Sequence, residues 1–182
     1  VLIGYMGSGK SSVGKELSEI YKSSFVDLDD EIVKVEKKSI DKLFSENGEL
    51  YFRKSEYECL KKILKLPEFT IFSLGGGTPC YFDTAEMLSN NNFIETVFLR
   101  TSINILTKRL FKETNDRPKI KHINSKEELQ KNISKDLFER NYFYNKSKHT
   151  IDTDNKSVFE VANEIKLSLK KHLPFLENPT RL

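Results

Sequence analysis

The chain has 182 residues, 31% of them charged and 37% hydrophobic, with 30 basic against 27 acidic side chains interspersed along it. That balance excludes whole-chain disorder and argues against a nucleic-acid partner, which would call for a denser basic patch. No apolar run reaches the ~20 residues that span a bilayer, so no membrane-crossing helix is expected.

Cys59, Cys80 and three scattered histidines offer neither a disulfide framework nor metal-ligand spacing, which predicts a reduced, cytoplasmic protein. Val1, Leu2 and Ile3 read as the end of a buried strand, so a few further residues are expected before Val1. A glycine-rich turn follows, and Val13, Leu17, Ile20 and Tyr21 recur at helical spacing from near Lys10. Phe25-Val26 predicts a second strand, closed by Asp27-Leu28-Asp29-Asp30. Residues 30 to 66 are charged and mostly helical, with a break at Asn47-Gly48.

Thr70 to Leu74 predicts a third strand, ended by Gly75-Gly76-Gly77, and Phe93 to Leu99 a fourth. Ile103, Leu106, Leu110 and Phe111 mark the next helix. Residues 113 to 124 are polar, aperiodic and contain Arg117-Pro118, the pattern of a mobile loop. Leu129, Ile133, Leu137 and Phe138 mark another helix, His149 to Asp152 a fifth strand, and Val158, Val161, Ala162, Ile165 and Leu169 a final helix. Pro174 to Leu182 reads as a tail. Strands alternating with helices argue for an α/β sandwich around a parallel sheet.

Gly4 to Ser11, G-Y-M-G-S-G-K-S, satisfies the phosphate-loop pattern G-x-x-x-x-G-K-[ST] between an apolar strand and an amphipathic helix. Glycines let backbone N–H groups converge on phosphate oxygens, and the helix adds its positive N-terminal end. Lys10 would neutralise β/γ charge and the Ser11 hydroxyl would ligate Mg²⁺.

Such a loop specifies a nucleotide, not an acceptor. Asp27 and Asp29 lie at the end of the second strand, the edge where open α/β sheets bind ligands. One carboxylate could serve the metal and the other take a proton from an acceptor hydroxyl. The plainer alternative is a helix cap at Asp29 or Asp30. Arg53 and Glu56, three apart, have the spacing of a surface ion pair. Arg140 could be a solvated side chain, and Gly75-Gly76-Gly77 a plain loop. In a chain with 24 Lys and only 6 Arg, however, each planar guanidinium draws notice.

Taken together, the residues resemble the shikimate kinase family. The phosphate loop, F-V-D-L-D (Phe25 to Asp29), S-I-x-x-L-F-x-x-x-G-E-x-x-F-R-x-x-E (Ser39 to Glu56), Gly75-Gly76-Gly77, Asp116-Arg117-Pro118 and Glu139-Arg140-Asn141 follow that family's order and spacing. The resemblance implies a three-layer α/β/α sandwich on a five-stranded parallel sheet. It places a single kinase domain over residues 1–172, with an acceptor-binding insertion at about 30–60 and a lid at about 113–124.

It also implies ATP-dependent phosphorylation of shikimate at the 3-hydroxyl with Mg²⁺, by a monomer with no nucleic-acid or membrane partner. Asp29 matches the residue that grips shikimate hydroxyls and is the candidate base. Asp27 joins Ser11 at the metal. Gly7, Ser8, Gly9, Lys10, Ser11, Ser12, Arg109, Arg117 and Asn155 match ATP-facing positions. Arg53 and Arg140 match the arginines that hold the shikimate carboxylate, Glu56 the glutamate that orients Arg53, and Gly75, Gly76 and Gly77 the glycines that approach the substrate.

Tyr142, Lys119 and Lys148 depart from the family's pattern. The alternatives are another small-molecule kinase, such as a gluconate kinase, or a non-catalytic nucleotide-binding relative. The first would not need the Arg53/Arg140 pair, and the second would be favoured by loss of Lys10, Asp29 or Arg117.

Overall fold

The computed structural model describes residues 1–66, 68–112, 120, 123–170 and 172. Five strands form one parallel sheet: β1 (Leu2–Ile3), β2 (Ser24–Asp27), β3 (Thr70–Ser73), β4 (Val97–Arg100) and β5 (His149–Asp152), in spatial order β2-β3-β1-β4-β5. The helices are α1 (Lys10–Tyr21), α2 (Leu28–Glu36), α3 (Ile40–Ile63), α4 (Thr84–Ser89), α5 (Ile103–Phe111), α6 (Lys126–Tyr144) and α7 (Val158–Leu169). Among the described residues no helix is long and apolar enough to cross a membrane.

Strand side chains alternate between two cores, as a sheet covered on both faces requires. Leu2, Val97, Leu99 and Ile151 pack with Val13 and Leu17 of α1 and Val161, Ala162, Ile165 and Leu169 of α7. Ile3, Leu74 and Phe98 face the other way, toward Leu28, Ile32, Leu43, Phe52 and Leu60 of α2 and α3, Leu106 and Leu110 of α5, and Leu129 and Ile133 of α6. The expected three-layer sandwich is present. Chain connections leave β1 and β3 in opposite directions, so the crevice between their C-terminal ends is the sheet's switch point, where ligands bind.

Several details differ from the sequence reading. Strand β2 extends to Asp27, and α2 starts at Leu28, so Asp29 lies in the first helical turn rather than on the strand. The cap of that helix is Asp27, whose Oδ1 accepts from the Asp29 amide at 3.2 Å, not Asp29 or Asp30. Helices α2 and α3 are separate, divided at Lys37, where the backbone turns left-handed.

Phe93 is 98% exposed and lies outside β4, and Phe138 is 87% exposed on α6. Each carries an aromatic ring on an otherwise polar stretch, and tertiary packing leaves that ring outside the core. Val158, the first residue of α7, is likewise exposed. Helix α4 and the short 3₁₀ turn Thr78–Cys80 were not anticipated. Within the expected lid, Ile120 and Ile123 are buried in the core, while Arg117 and Lys119 lie outside the described residues, as does the expected tail from 173 to 182.

Candidate active site

The loop after β1 turns on left-handed glycines. Gly7 and Gly9 have φ of 77° and 96°, a region that strains any side chain, and Gly9 caps α1. A Cβ on Gly7 would also press on the Leu110 side chain at 3.0 Å, so α5 packs against the loop. Lys10 is buried: its Nζ donates to Gly4 O at 2.9 Å and Tyr5 O at 3.0 Å, lying across its own loop. The Ser8 hydroxyl is buried with no hydrogen-bond partner among the described residues.

These groups line a cavity of about 470 Å³. Its walls include Gly7 to Ser12, Asp27, Asp29, Gly75, Gly76 and Arg109. Ser11 Oγ donates to Asp27 Oδ2 at 2.7 Å, which joins the start of α1 to the end of β2. Two hard oxygens side by side at a phosphate cradle suit Mg²⁺. The backbone cradle, buried Lys10 and unpartnered Ser8 Oγ suit a polyphosphate. Arg109 Nη1 donates to Gly7 O at 3.0 Å and so braces the loop from α5.

Glycines 75 to 77 matter here through contact. A Cβ on Gly76 would lie 3.2 Å from Met6 N, which shows how closely the loops after β1 and β3 approach. One on Gly75 would meet Glu56 Oε1 at 2.8 Å and Asp29 Oδ1 at 3.2 Å, and one on Gly77 would strike the Arg53 guanidinium at 2.6–2.9 Å. The glycine run thus lets Asp29, Glu56 and Arg53 crowd one strand end.

Arg53 and Glu56 are not a surface pair. Both are almost fully buried, with Nη1 to Oε2 at 2.8 Å. Thr78 Oγ1 holds the other Glu56 oxygen at 2.6 Å, Glu49 Oε1 accepts from Arg53 Nη2 at 3.3 Å, and the Tyr81 ring covers the guanidinium at 4.4 Å. Burial works against the Arg53 charge, but Glu56 outweighs it and the group titrates above its ordinary range.

Asp29 is open to the cavity, yet the concave wall withdraws enough water to push its carboxyl up to about 6. The charges of Glu56 and Asp27 contribute to that rise, and Lys10 and Arg53 oppose it. A carboxyl titrating near neutrality beside a phosphate cradle can exchange a proton with a hydroxyl.

Arg140 reaches this region from α6. Its Nη2 donates to Asp136 Oδ2 at 2.8 Å, its guanidinium lies 5.3 Å from the Tyr5 ring centre, and Tyr5 OH donates to the same Asp136 oxygen at 2.7 Å. The Tyr144 hydroxyl, which feels the Arg140 charge, donates to Gly76 O. Cys80 feels both Arg140 and Arg53, and burial pushes its thiol up to about 11, which keeps it protonated.

Neither Arg53 nor Arg140 is part of the cavity wall, so the phosphate side and the arginine side are adjoining regions. Asn155, left-handed at φ 57°, is not part of the wall either, although Thr153 and Lys156 are. Asp154 instead accepts from Ser102 N at 3.0 Å, tying the loop after β5 to the start of α5.

Sequence reasoning missed Glu49, Thr78, Tyr81, Tyr5, Asp136 and Tyr144. A signal existed for two of them: Glu49 and Asp136 each lie four residues before an arginine that matters, the spacing at which a helix brings side chains together.

A family model described as shikimate kinase matches residues 6–170. The chain belongs to the shikimate kinase family. A curated shikimate kinase of Flavobacterium johnsoniae is 39% identical over 165 residues, 91% of this chain and 95% of the relative. The crystal structure of shikimate kinase from Bacteroides thetaiotaomicron superposes with a TM-score of 0.84 at 31% identity, covering 95% of this chain and 96% of that one. Shikimate kinase from Acinetobacter baumannii, solved in complex with shikimate, gives 0.82 at 27% identity over 93% and 92%. As a member of the family the chain is an ATP-using transferase of the shikimate pathway, with a P-loop kinase fold.

Proposed function

We propose that the chain transfers the γ-phosphoryl group of ATP to the 3-hydroxyl of shikimate, with the acceptor held between Asp29 and two arginines. The observation that carries this reading is the buried Arg53–Glu56 pair beside Asp29, at the strand end facing the phosphate cradle. A buried guanidinium anchored on one side by Glu56 has donors left for a ligand carboxylate, which it can grip bidentately. Arg140 supplies the second half of that grip, and Gly75, Gly76 and Gly77 keep the strand end low enough for the sugar-like ring to approach.

Gly7, Ser8, Gly9, Lys10, Ser11 and Ser12 hold the phosphates, and Arg109 steadies their loop from the nucleotide side. By resemblance, Arg117 is assigned to the transferring phosphates and Asn155 to the adenine. Mg²⁺, when bound with ATP, would supply charge neutralisation for the transferring phosphate, and Ser11 and Asp27 would hold it. The shikimate oxygen bonds to phosphorus as the bond to ADP breaks, and Asp29 takes the hydroxyl proton. Positioning and charge stabilisation carry most of the barrier reduction in such transfers. In this reading the catalytic unit spans residues 1–172, with its lid at about 113–124, and acts as a cytoplasmic monomer.

A coupled assay of ADP release, run with shikimate, with gluconate and with no acceptor, tests the assignment. Release should rise strongly with shikimate alone. Equal release in all three would reduce the site to an ATPase, and a rise with gluconate would reassign the acceptor.

A further inference from the structure

At the opposite edge of the sheet, three residues far apart in sequence converge. His149 opens β5, Glu95 precedes β4, and His172 follows α7. Among the described residues, Glu95, His149 and His172 are the one group of three metal-capable side chains whose ligand atoms all lie within 4.8 Å of one another. The side chains of His149 and Glu95 are only 8% and 13% exposed, with His149 Nε2 2.7 Å from Glu95 Oε2. The ring of His172 stands nearly perpendicular to that of His149, 4.9 Å away, and closes the group from the solvent side. Its amide donates to Leu169 O at 2.9 Å, which ties its backbone to the end of α7.

We propose that Glu95, His149 and His172 form a binding site for a zinc-class divalent cation, independent of the kinase centre. Two imidazoles and one carboxylate suit Zn²⁺, and three protein ligands leave a fourth position to water. A second feature points the same way. His149 Nδ1 lies 2.8 Å from Ser168 Oγ, and ligating histidines commonly have their far nitrogen held by such an oxygen.

Ser168 Oγ can donate or accept. Without metal it donates to Nδ1 while Nε2–H faces Glu95; with metal it accepts from Nδ1–H while bare Nε2 turns to the ion. Tetrahedral bonds of about 2.0–2.2 Å hold two donors about 3.3 Å apart, so the His149–Glu95 contact must open by roughly 0.6 Å. Lys148 Nζ, the neighbouring cation, lies 3.7 Å from the other Glu95 oxygen and donates to Asn91 O, which leaves Oε2 facing the histidines.

Zinc chloride titrated into the chelator-treated chain, followed by calorimetry and by thermal melting, tests this. Saturable binding of one zinc per chain and a raised melting temperature are expected, because an ion bound only by the folded state stabilises it. His172→Ala and Glu95→Gln alter groups outside the hydrophobic core, and each should weaken zinc at least about tenfold. Absence of saturable binding to the unaltered chain would overturn the proposal. So would zinc affinity equal to the unaltered chain's in both variants, which would place the metal on the Ser11–Asp27 oxygens or on cysteine.

Discussion

Asp29 carries the pH dependence of the proposed reaction. With its carboxyl titrating at about 6, acid protonates it and blocks proton acceptance, so kcat/KM should fall about tenfold per pH unit below that value. Asp29→Asn should abolish this limb and lower turnover by about 10²–10⁴-fold while leaving the KM for ATP near its original value.

The same shift has a stability consequence of defined sign. A carboxyl raised from 3.8 to about 6 binds its proton more tightly in the folded chain, so ionising it costs stability as pH rises through that window. The melting temperature of Asp29→Asn at neutral pH should therefore equal or exceed that of the unaltered chain. A lower one would mean that Asp29 holds structure.

The arginine pair makes a second prediction at this scale. Arg53→Lys or Arg140→Lys keeps charge but removes the planar fork. A lost charge-assisted hydrogen bond of ~1.5–3 kcal/mol should raise the KM for shikimate roughly 10- to 100-fold. The KM for ATP should change far less, and the double variant should lose less than the sum of the singles, because both grip one carboxylate. Strict additivity would separate the two arginines.

At the scale of elements, two glycines are required for different reasons. Gly48, inside α3, has φ 80° and ψ 170°, and a Cβ there would meet nothing within 4 Å. Gly48→Ala should therefore cost only backbone strain, about 1–3 kcal/mol by denaturant melting. Gly77 has ordinary backbone angles, but its Cβ would strike the Arg53 guanidinium. Gly77→Ala should raise the KM for shikimate with little change for ATP. If both variants moved only stability, the close approach at Gly77 would have no bearing on the acceptor.

Chemistry marked by fixed spacing was legible in the chain: the phosphate loop, the strand at His149–Asp152 and the helix opening at Lys10 stand where pattern placed them. Contacts made only by folding were not. Burial of Arg53 depends on Tyr81 and Thr78 arriving from the turn after β3, and no local periodicity encodes that. The polar α6, with only one apolar residue per turn facing inward, likewise gave Phe138 no visible reason to point outward.

For the whole molecule, the sheet links stability to catalysis through α5. Leu110 is fully buried in one core and also lies under Gly7. Leu110→Ala should destabilise the fold by about 2–5 kcal/mol. Because the cavity opens directly beneath the phosphate loop, it should also weaken ATP more than shikimate, which steady-state kinetics well below the melting temperature can read. Leu169→Ala, in the other core, should lower stability without that bias.

The register Asp27↔Ser73 sets the C-terminal ends of β2 and β3 side by side, and the long crossover through α2 and α3 starts from the first of these and returns to the other end of β3, at Thr70. The crossover leaves from an edge strand and returns one strand inward, so it can be lengthened, shortened or exchanged without moving β1 or the loop that follows it. Asp29, Arg53 and Glu56 all ride on this one stretch. In the proposed reading most of the acceptor grip, Arg140 on α6 apart, is therefore carried as a cassette, which evolution can rewrite while the nucleotide grip stays under separate selection.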